Sequence, residues 1–408
     1  VMWRCALRNV TRSPVGRSVT RLFSTHLPLT RFSEDEEALR ESVQRFAQHE
    51  VAPFVREMDE GQFLRPEILT GLFENGLMGV EAPIEYGGAG SNFTAACIVI
   101  EELAKVDPAI SVICDVQNTL LMTSLRKYGT EAQKTKHLTS LATNTLGAFC
   151  LSEAGSGSDA FALKTRAEKS GDGWTINGTK CWITNAQQAG FFLVFANIDP
   201  SKGHKGITAF IVEGSNPGLV VGKKENKLGI RASQTCEVSL VDCKVGEDAV
   251  LGNLGQGYKI AINLLNEGRV GIAAQMLGLA EGAYQLALPY IHERKQFGSR
   301  IADFQGVQFQ VAQTELDIES ARLLVFNSTR LCEAGLPFAK EAAMAKFKAS
   351  QVAEATASQC IDWMGGTGFT KDFLAEKFYR DAKIGKIYEG TSNIQLQTIA
   401  KIVSAPFS

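Results

Sequence analysis

The spacing of hydrophobic positions changes twice along the chain. From residue 33 to about residue 145, apolar side chains recur every three or four positions, which is typical of amphipathic helices. The first helix begins with a capping-box pair, Ser33 and Glu36, and another begins at Pro66. This part of the chain is therefore predicted to be an all-helical bundle.

Alternating and short apolar runs follow between about residues 146 and 248, and they predict β-strands. The strongest turn signal in this stretch is Asn177-Gly178, which predicts a hairpin spanning residues 174–183. Further runs of strand length complete the pattern at 191–198, 206–212, 218–222 and 235–241. Short strands separated by turn residues indicate a small β barrel or sandwich.

Helical spacing returns after Gly257. Four residues recur at every seventh position, as in the seam of a long packed helix: Val311, Ile318, Val325 and Cys332. The predicted fold class is thus α+β, with a helical bundle at each end and a β barrel or sandwich between them. The domain boundaries predicted from these changes are 34–145, 146–248 and 249–408.

Residues 1–33 differ from the rest in composition. They contain six arginines among serines and threonines, and the first acidic residue is Glu34. This composition is typical of a mitochondrial transit peptide, so we expect import into the matrix and removal of the segment. Arg21-Leu22-Phe23-Ser24 resembles a matrix-peptidase site with the cut after Phe23. A disordered basic tail is the alternative.

Composition argues against several kinds of function. The 408 residues carry a formal net charge of -2, and no basic block has interleaved aromatics, so we expect no nucleic-acid partner. No run of about twenty apolar residues follows the leader, so we expect no membrane span. The nine cysteines and five histidines are scattered without a CxxC pair, which predicts no metal site. Fingerprints of nicotinamide binding, P-loops and nucleophile elbows do not occur in a suitable context.

One carboxylate stands in an unusual place, the segment YEGTSNIQ at residues 388–395. Glu389 follows an apolar run and precedes Thr391 and Ser392, either of which could cap a last helix. Apolar surroundings raise the pKa of a carboxyl group and a helix N-terminus lowers it, so Glu389 is a candidate general base. The alternative is that Glu389 only complements the helix dipole.

Two other segments could bind a ring system with polar edges. AFCLSEAGSGSDA, residues 148–160, offers an apolar wall followed by hydroxyls and free amides. KCWITNA, residues 180–186, places the indole of Trp182 near the hydroxyl of Thr184, so that one could stack on a ring and the other bond its edge. Taken singly, each has a simpler interpretation, as a serine-rich loop or a core tryptophan.

Taken in order, these segments resemble the acyl-CoA dehydrogenase family from about residue 33 to residue 402. The matching motifs are SEAGSGSD, KCWITNA, NKLGIRAS, LNEGRVGIAAQ, ERKQFG, WMGGTGF, YRDAKI and YEGTSNIQ. The resemblance implies non-covalently bound FAD, α,β-dehydrogenation of an acyl-CoA, and electron transfer flavoprotein as electron acceptor. It also implies a homotetramer. The short- and branched-chain members, with substrates such as 2-methylbutanoyl-CoA from isoleucine breakdown, are the most similar group.

The resemblance also assigns roles to individual residues. Glu389 matches the catalytic base that takes the α-proton. Residues matching FAD contacts are Phe149, Cys150, Leu151, Ser152, Ser158, Trp182, Ile183, Thr184, Arg294, Gln305, Trp363, Met364, Gly365, Gly366, Thr391, Ser392 and Asn393. Residues matching substrate contacts are Ser158, His204, Tyr258, Asn266, Glu267, Gly268, Arg269 and Gly390. Arg294, Gln305 and residues 363–366 match segments that reach the FAD of a neighbouring subunit, with Arg294 on its diphosphate.

Position 268 separates branches of the family. The isovaleryl-CoA and long-chain branches carry their base at the position of Gly268. A glutamate at position 389 together with a glycine at position 268 therefore implies the short-, medium- or branched short-chain group. Glu267 is one residue away, a turn of about 100° on a helix, and is not expected to be the base. His204 stands in place of a tyrosine and Asn266 in place of an aspartate, so the choice of acyl chain stays open.

Three alternatives remain at the sequence level. One is a dehydrogenase of straight short or medium chains, another an acyl-CoA oxidase that uses oxygen, and the third a non-catalytic scaffold on the same fold. Glu389 occurs together with Trp182, Arg294 and Ser158, a set for which a scaffold has no physical use. The combination therefore favours an enzyme.

Overall fold

A computed structural model describes residues 28–407. Residues 1–27 of the predicted transit peptide, including the cleavage site after Phe23, lie outside the described residues. The chain begins its regular structure at Ser33, whose hydroxyl accepts a hydrogen bond from the main-chain N–H of Glu36 while the Glu36 carboxylate accepts one from the N–H of Ser33. The predicted capping box is confirmed.

The N-terminal part consists of helices α1 to α7. Their bounds are Glu34–Phe46, Val55–Gly61, Pro66–Glu74, Phe93–Ala104, Pro108–Asp115, Thr123–Tyr128 and Glu131–Thr143. A wide π turn, Val116–Met122, joins α5 to α6. The sequence pattern did not reveal α5 or this turn, because every residue from 106 to 125 is buried and no polar face marks a period.

The middle part is built from strands β1 to β8. Their bounds are Leu146–Cys150, Arg166–Ser170, Gly173–Thr184, Ala189–Asn197, Ile207–Glu213, Leu219–Lys224, Thr235–Gly246 and Val250–Leu251. The strands form one sheet in the order β6-β7-β3-β2-β4-β5-β8, and β1 adds to β4 in parallel. The sheet has an apolar core of its own that includes Cys150, Phe192 and Val238.

The hairpin predicted at Asn177-Gly178 is wrong. β3 runs straight through these residues and pairs with β7 along most of its length, while the turn lies at Gly171 between β2 and β3. Gly178 sits at a bulge where a Cβ atom would meet Thr165 Oγ1 at 2.4 Å. The glycine is therefore required by the close approach of another chain segment rather than by a turn.

The C-terminal part returns to helices, α8 to α13, with a short β9–β10 ribbon after α8. The helix bounds are Gly257–Glu293, Gln305–Glu333, Ala339–Met364, Gly366–Phe369, Ala375–Ala382 and Ser392–Ser404, and the ribbon strands are Lys295–Gln296 and Ser299–Arg300. Ile318 and Val325 of the predicted seam are buried in α9, and the helix stops before Gly335.

A large apolar core joins the N-terminal and C-terminal helices, with α8 running through its centre against α4, α5 and α10. The predicted α+β class, with helical parts at both ends and a β part between them, is confirmed. Within residues 28–407, no helix has the length and hydropathy needed to cross a membrane.

Candidate active site

Glu389 lies in the loop before α13, and its carboxyl group faces α8. The residue adopts a left-handed backbone conformation with φ +52°. A Cβ atom at Gly268 would lie 3.0 Å from Oε2 of Glu389 and 3.1 Å from Cδ2 of Leu120 in the π turn. Oε2 itself is buried and has no hydrogen-bond partner among the described residues. The absence of a side chain at position 268 is thus what leaves room for the carboxylate.

Several side chains fix the loop around Glu389. Gln395 Nε2 donates hydrogen bonds to the carbonyl oxygens of Glu389 (3.0 Å) and Gly390 (2.9 Å), and Lys346 Nζ donates to the Gly390 oxygen at 2.7 Å. Thr391 caps α13 through its side-chain oxygen, as one of the two predicted caps. A carboxylate on a loop held at so many points keeps a defined position.

The environment of Glu389 suits a base at neutral pH. Burial raises the pKa of Glu389 to about 7, against the opposing effects of Arg269 and Lys346. The rise agrees with the effect expected from apolar surroundings, and the two cations Arg269 and Lys346 oppose it. Asp115 of α5 is also buried, and burial followed by the nearby Glu389 holds its pKa well above the usual range.

Glu267 and its neighbours on α8 have other partners. The Glu267 carboxylate is buried and lies 2.5 Å from Lys127 Nζ of α6, an ion pair that Glu389 lacks within the described part of the chain. Asn266 accepts a hydrogen bond from Arg269 Nη1 at 3.0 Å, which orients the guanidinium. Of the two carboxylates suggested by the sequence, Glu389 is therefore the one that has a buried oxygen, Oε2, and no ion pair within residues 28–407.

The structure brings the two predicted ring-binding segments together at the C-terminal ends of strands β1 and β3. The N–H of Cys181 donates to the Ser152 carbonyl oxygen at 2.9 Å, which joins the end of β1 to β3. Trp182 has φ +61° and exposes 66% of its surface, so its indole is available for stacking. Thr184, two residues after Trp182, and Phe149 of β1 are half-buried.

Three other residues of these segments are less available. Cys150, Leu151 and Ile183 are buried, and Cys150 and Ile183 belong to the core of the sheet. Any contact they make with a bound group would involve their main-chain atoms. Ser158 is exposed in the loop after β1.

The sequence analysis did not predict a buried ion pair between Lys180 and Glu153, next to the ends of β1 and β3. Lys180 is fully buried, and its Nζ donates to Glu153 Oε1 at 2.8 Å and to the Leu151 carbonyl oxygen at 3.2 Å. Glu153 also accepts hydrogen bonds from Lys164 and Thr165. Burial raises the pKa of Glu153, but Lys180 and these donors outweigh it and lower the pKa. The signal in the sequence was a charged residue in each segment, Glu153 in residues 148–160 and Lys180 in residues 180–186.

A second group of predicted residues lines a separate cleft. Arg294 and residues 363–366 surround an open cavity of about 730 Å³ together with Tyr290 and Gln310. Trp363 is buried, and its Nε1 donates to Gln310 Oε1 at 2.9 Å. The guanidinium of Arg294 is exposed and forms no ion pair with any described residue. Glu389, Trp182 and Gln305 do not line this cleft.

The remaining predicted residues fall into two places. His204 lies with its ring centroid 4.5 Å from that of Tyr258, which in turn lies 4.4 Å from the ring of Phe161, so the two predicted substrate residues are neighbours. At the start of α13, Ser392 Oγ is buried without a partner among the described residues, and Asn393 is exposed.

Three family descriptions match consecutive parts of the chain. They are the N-terminal domain of acyl-CoA dehydrogenase at residues 33–145, the middle domain at 148–243 and the C-terminal domain at 255–404.

No metal-binding group of histidine, cysteine or carboxylate side chains occurs in the described part of the chain.

Two curated relatives cover nearly the whole chain. The probable short/branched chain specific acyl-CoA dehydrogenase of Dictyostelium discoideum is 60% identical over 382 residues, 93% of this chain and 92% of that protein. The mitochondrial short/branched chain specific acyl-CoA dehydrogenase of Rattus norvegicus is 55% identical over 390 residues, 96% of this chain and 90% of that protein.

Solved structures with the same fold extend the comparison. Butyryl-CoA dehydrogenase from Megasphaera elsdenii superposes with a TM-score of 0.90 at 38% identity, covering 91% of this chain and 99% of that one. A glutaryl-CoA dehydrogenase from Mycobacterium smegmatis in complex with FADH2 gives a TM-score of 0.87 at 29% identity, covering 92% and 95%.

Proposed function

Because the chain belongs to the acyl-CoA dehydrogenase family, we propose that it oxidises a short or branched short-chain acyl-CoA, such as 2-methylbutanoyl-CoA, to the 2-enoyl-CoA. The observation that carries the proposal is the carboxyl group of Glu389, which has no ion pair among the described residues and lies against Gly268 with a pKa of about 7. A carboxylate in this state is suited to proton abstraction rather than to a structural ion pair.

Glu389 acts as the base that removes the α-proton of the thioester. Its pKa near the working pH lets it be ionised in a large part of the molecules and still bind a proton strongly. The α-proton is weakly acidic, so the carbonyl oxygen needs hydrogen-bond donors where negative charge develops. The family resemblance assigns one such donor to the main-chain N–H of Glu389, which places donor and base on the same residue.

FAD is the proposed cofactor, and the residues present fit it. The exposed indole of Trp182 in a left-handed backbone conformation offers a face for an aromatic ring, with Ser152 and Thr184 nearby for its polar edge. The free guanidinium of Arg294 in an open cleft suits a diphosphate. When bound, FAD would accept the β-hydrogen as hydride.

We also propose a homotetramer in which subunits share cofactor sites. The cleft around Arg294 and Trp363 lies apart from the residues around Glu389 and Trp182 in one chain, so a second copy is needed to bring both sets to one FAD. Apolar side chains exposed on one face of α9 supply a surface for such contact: Phe309, Leu316 and Leu323. Electron transfer flavoprotein is the proposed acceptor, in the mitochondrial matrix.

Substrate and acceptor are tested together with the purified protein. We expect a yellow protein whose flavin bleaches when 2-methylbutanoyl-CoA is added without oxygen, and which is reoxidised faster by electron transfer flavoprotein than by oxygen. Butanoyl-, hexanoyl- and octanoyl-CoA measured in parallel decide between branched- and straight-chain preference. A colourless protein that takes up no FAD would contradict the enzyme and favour the scaffold.

A further inference from the structure

Lys346 on α10 is a buried cation whose position the proposed function does not explain. Its side chain is fully buried, and its Nζ makes one hydrogen bond within the described residues, to the Gly390 carbonyl oxygen at 2.7 Å. It forms no direct ion pair there with a carboxylate. An isolated buried ammonium group is costly, so a protein keeps one where its charge or its hydrogen bond is needed.

The hydrogen bond connects Lys346 to the base through one residue. Gly390 follows Glu389 directly, has φ +88°, and accepts a second hydrogen bond from Gln395 Nε2 at 2.9 Å. The carbonyl group of the Gly390–Thr391 peptide is thereby held from α10 on one side and from α13 on the other. Gln395 Nε2 also donates to the Glu389 carbonyl oxygen at 3.0 Å, so both peptide groups that follow the base are held in place.

The charge of Lys346 also acts on Glu389. The groups that face Glu389 are Arg269 from α8, Lys346 from α10, Asp115 from α5 and its neighbour Tyr388. Burial raises the pKa values of Asp115 and Tyr388, which favours their uncharged forms. Arg269 and Lys346 are the two cations that lower the pKa of Glu389, and Lys346 is the one whose own pKa burial lowers to about 7.

We propose that Lys346 is a positioning residue for the base: its ammonium group fixes the Gly390 carbonyl and stabilises the ionised form of Glu389. The proposal rests on the role of Glu389 in the proposed function. Burial lowers the pKa of Lys346 to about 7, while Glu389 opposes this shift, so each group favours the charged form of the other. Two groups coupled in this way titrate as a pair.

Lys346→Met removes the charge and the donor while keeping the length of the side chain. In the FAD-loaded protein we expect the pKa of Glu389 to rise by about 1 unit, as loss of a nearby opposite charge predicts. The acidic limb of kcat/KM should move by the same amount. Activity at pH 7 would fall about fivefold and recover by pH 9.

An equilibrium measurement makes the test independent of turnover. Infrared titration follows the band of the protonated Glu389 carboxyl group, identified by its loss in Glu389→Gln. Lys346→Arg keeps a charge and donors and should titrate as the wild type. Lys348→Met is the matched control, because Lys348 lies on the same helix but pairs with Asp317 of α9 at 2.6 Å; it should leave the titration unchanged.

The outcomes separate the inference from the function beneath it. An unchanged Glu389 titration in folded Lys346→Met overturns the inference, even if the enzyme is active. A shifted titration in a protein whose flavin no acyl-CoA reduces supports the inference and contradicts the proposed function. If Lys346→Met does not fold, Lys346→Gln replaces it; failure of both variants while Lys346→Arg folds shows a structural role alone and overturns the inference.

Discussion

At the scale of single residues, the site depends on a carboxyl group that the described residues leave without an ion pair. Glu389 has neither an ion pair nor a hydrogen bond to Oε2 among the described residues, whereas Glu267, one residue from Gly268, has Lys127 as partner. The gap at Gly268 leaves the space that Glu389 fills. The proposed function thus depends on a carboxyl oxygen without a hydrogen bond, and such an atom lowers folding stability.

The cost to stability has a definite dependence on pH. The pKa of Glu389 is about 7 in the fold and near 4.5 when unfolded. The fold therefore favours the protonated form: this stabilisation is fully present below pH 4.5 and is lost as pH rises through 7. Glu389→Gln should leave the free energy of unfolding nearly unchanged at pH 4.5 and raise it by about 1–3 kcal/mol at pH 8.

Urea unfolding at the two pH values measures this difference. Glu354→Gln is a control of opposite sign: burial raises the pKa of Glu354, but Lys386 and Lys383 outweigh it and lower the pKa. Removing that carboxylate should destabilise the protein at pH 8. A Glu389→Gln variant that is less stable than the wild type at pH 8 would show that the carboxylate contributes to folding.

At the scale of elements, the spacing of apolar residues predicted the helices that have one buried and one exposed face. α1 and α3 each have a buried and an exposed face, and both begin where the sequence predicts. α5 and the following π turn are buried on all sides, so no period distinguishes them, although Leu120 of that turn packs beside Gly268. The prediction of a hairpin turn at Asn177-Gly178 was wrong for another reason, because turn residues also occur where a strand bulges past a neighbour.

The bulge in β3 leads to a prediction on two glycines. Gly178→Ala would place a Cβ atom 2.4 Å from Thr165 Oγ1, whereas Gly171→Ala has φ +57° but no atom within 4 Å of its Cβ. Gly171→Ala should lower the free energy of unfolding by about 1 kcal/mol. Gly178→Ala should lower it by about 1–2 kcal/mol more, because overpacking is added to the backbone strain.

Chemical unfolding measures the loss of unfolding free energy in both variants and shows which loss is larger. Had Asn177-Gly178 formed the turn of a hairpin, Gly178 would lie in solvent and its replacement would cost no more than that of Gly171. Equal losses would therefore contradict the continuous β3 strand and its contact with Thr165.

At the scale of the whole molecule, parts far apart in sequence meet at the base. α5 and its π turn, α8, α10 and α13 each contribute a residue around Glu389, and the end of β3 carries the exposed Trp182. Sequence motifs predicted which residues belong to a site, because the motifs keep their order. The resemblance already set Arg294 and Trp363 apart from these residues, but it could not predict that they line one cleft with Tyr290 and Gln310, since this depends on how the long helices pack.

The most direct measurement is the rate at which substrate reduces the bound flavin in single-turnover experiments without oxygen. With 2-methylbutanoyl-CoA, we expect Glu389→Gln to bind FAD and substrate normally while flavin reduction slows by at least about 10²-fold, because proton abstraction is lost. Glu267→Gln should retain a rate close to that of the wild type. Near-normal reduction in Glu389→Gln would contradict the account and place the base elsewhere.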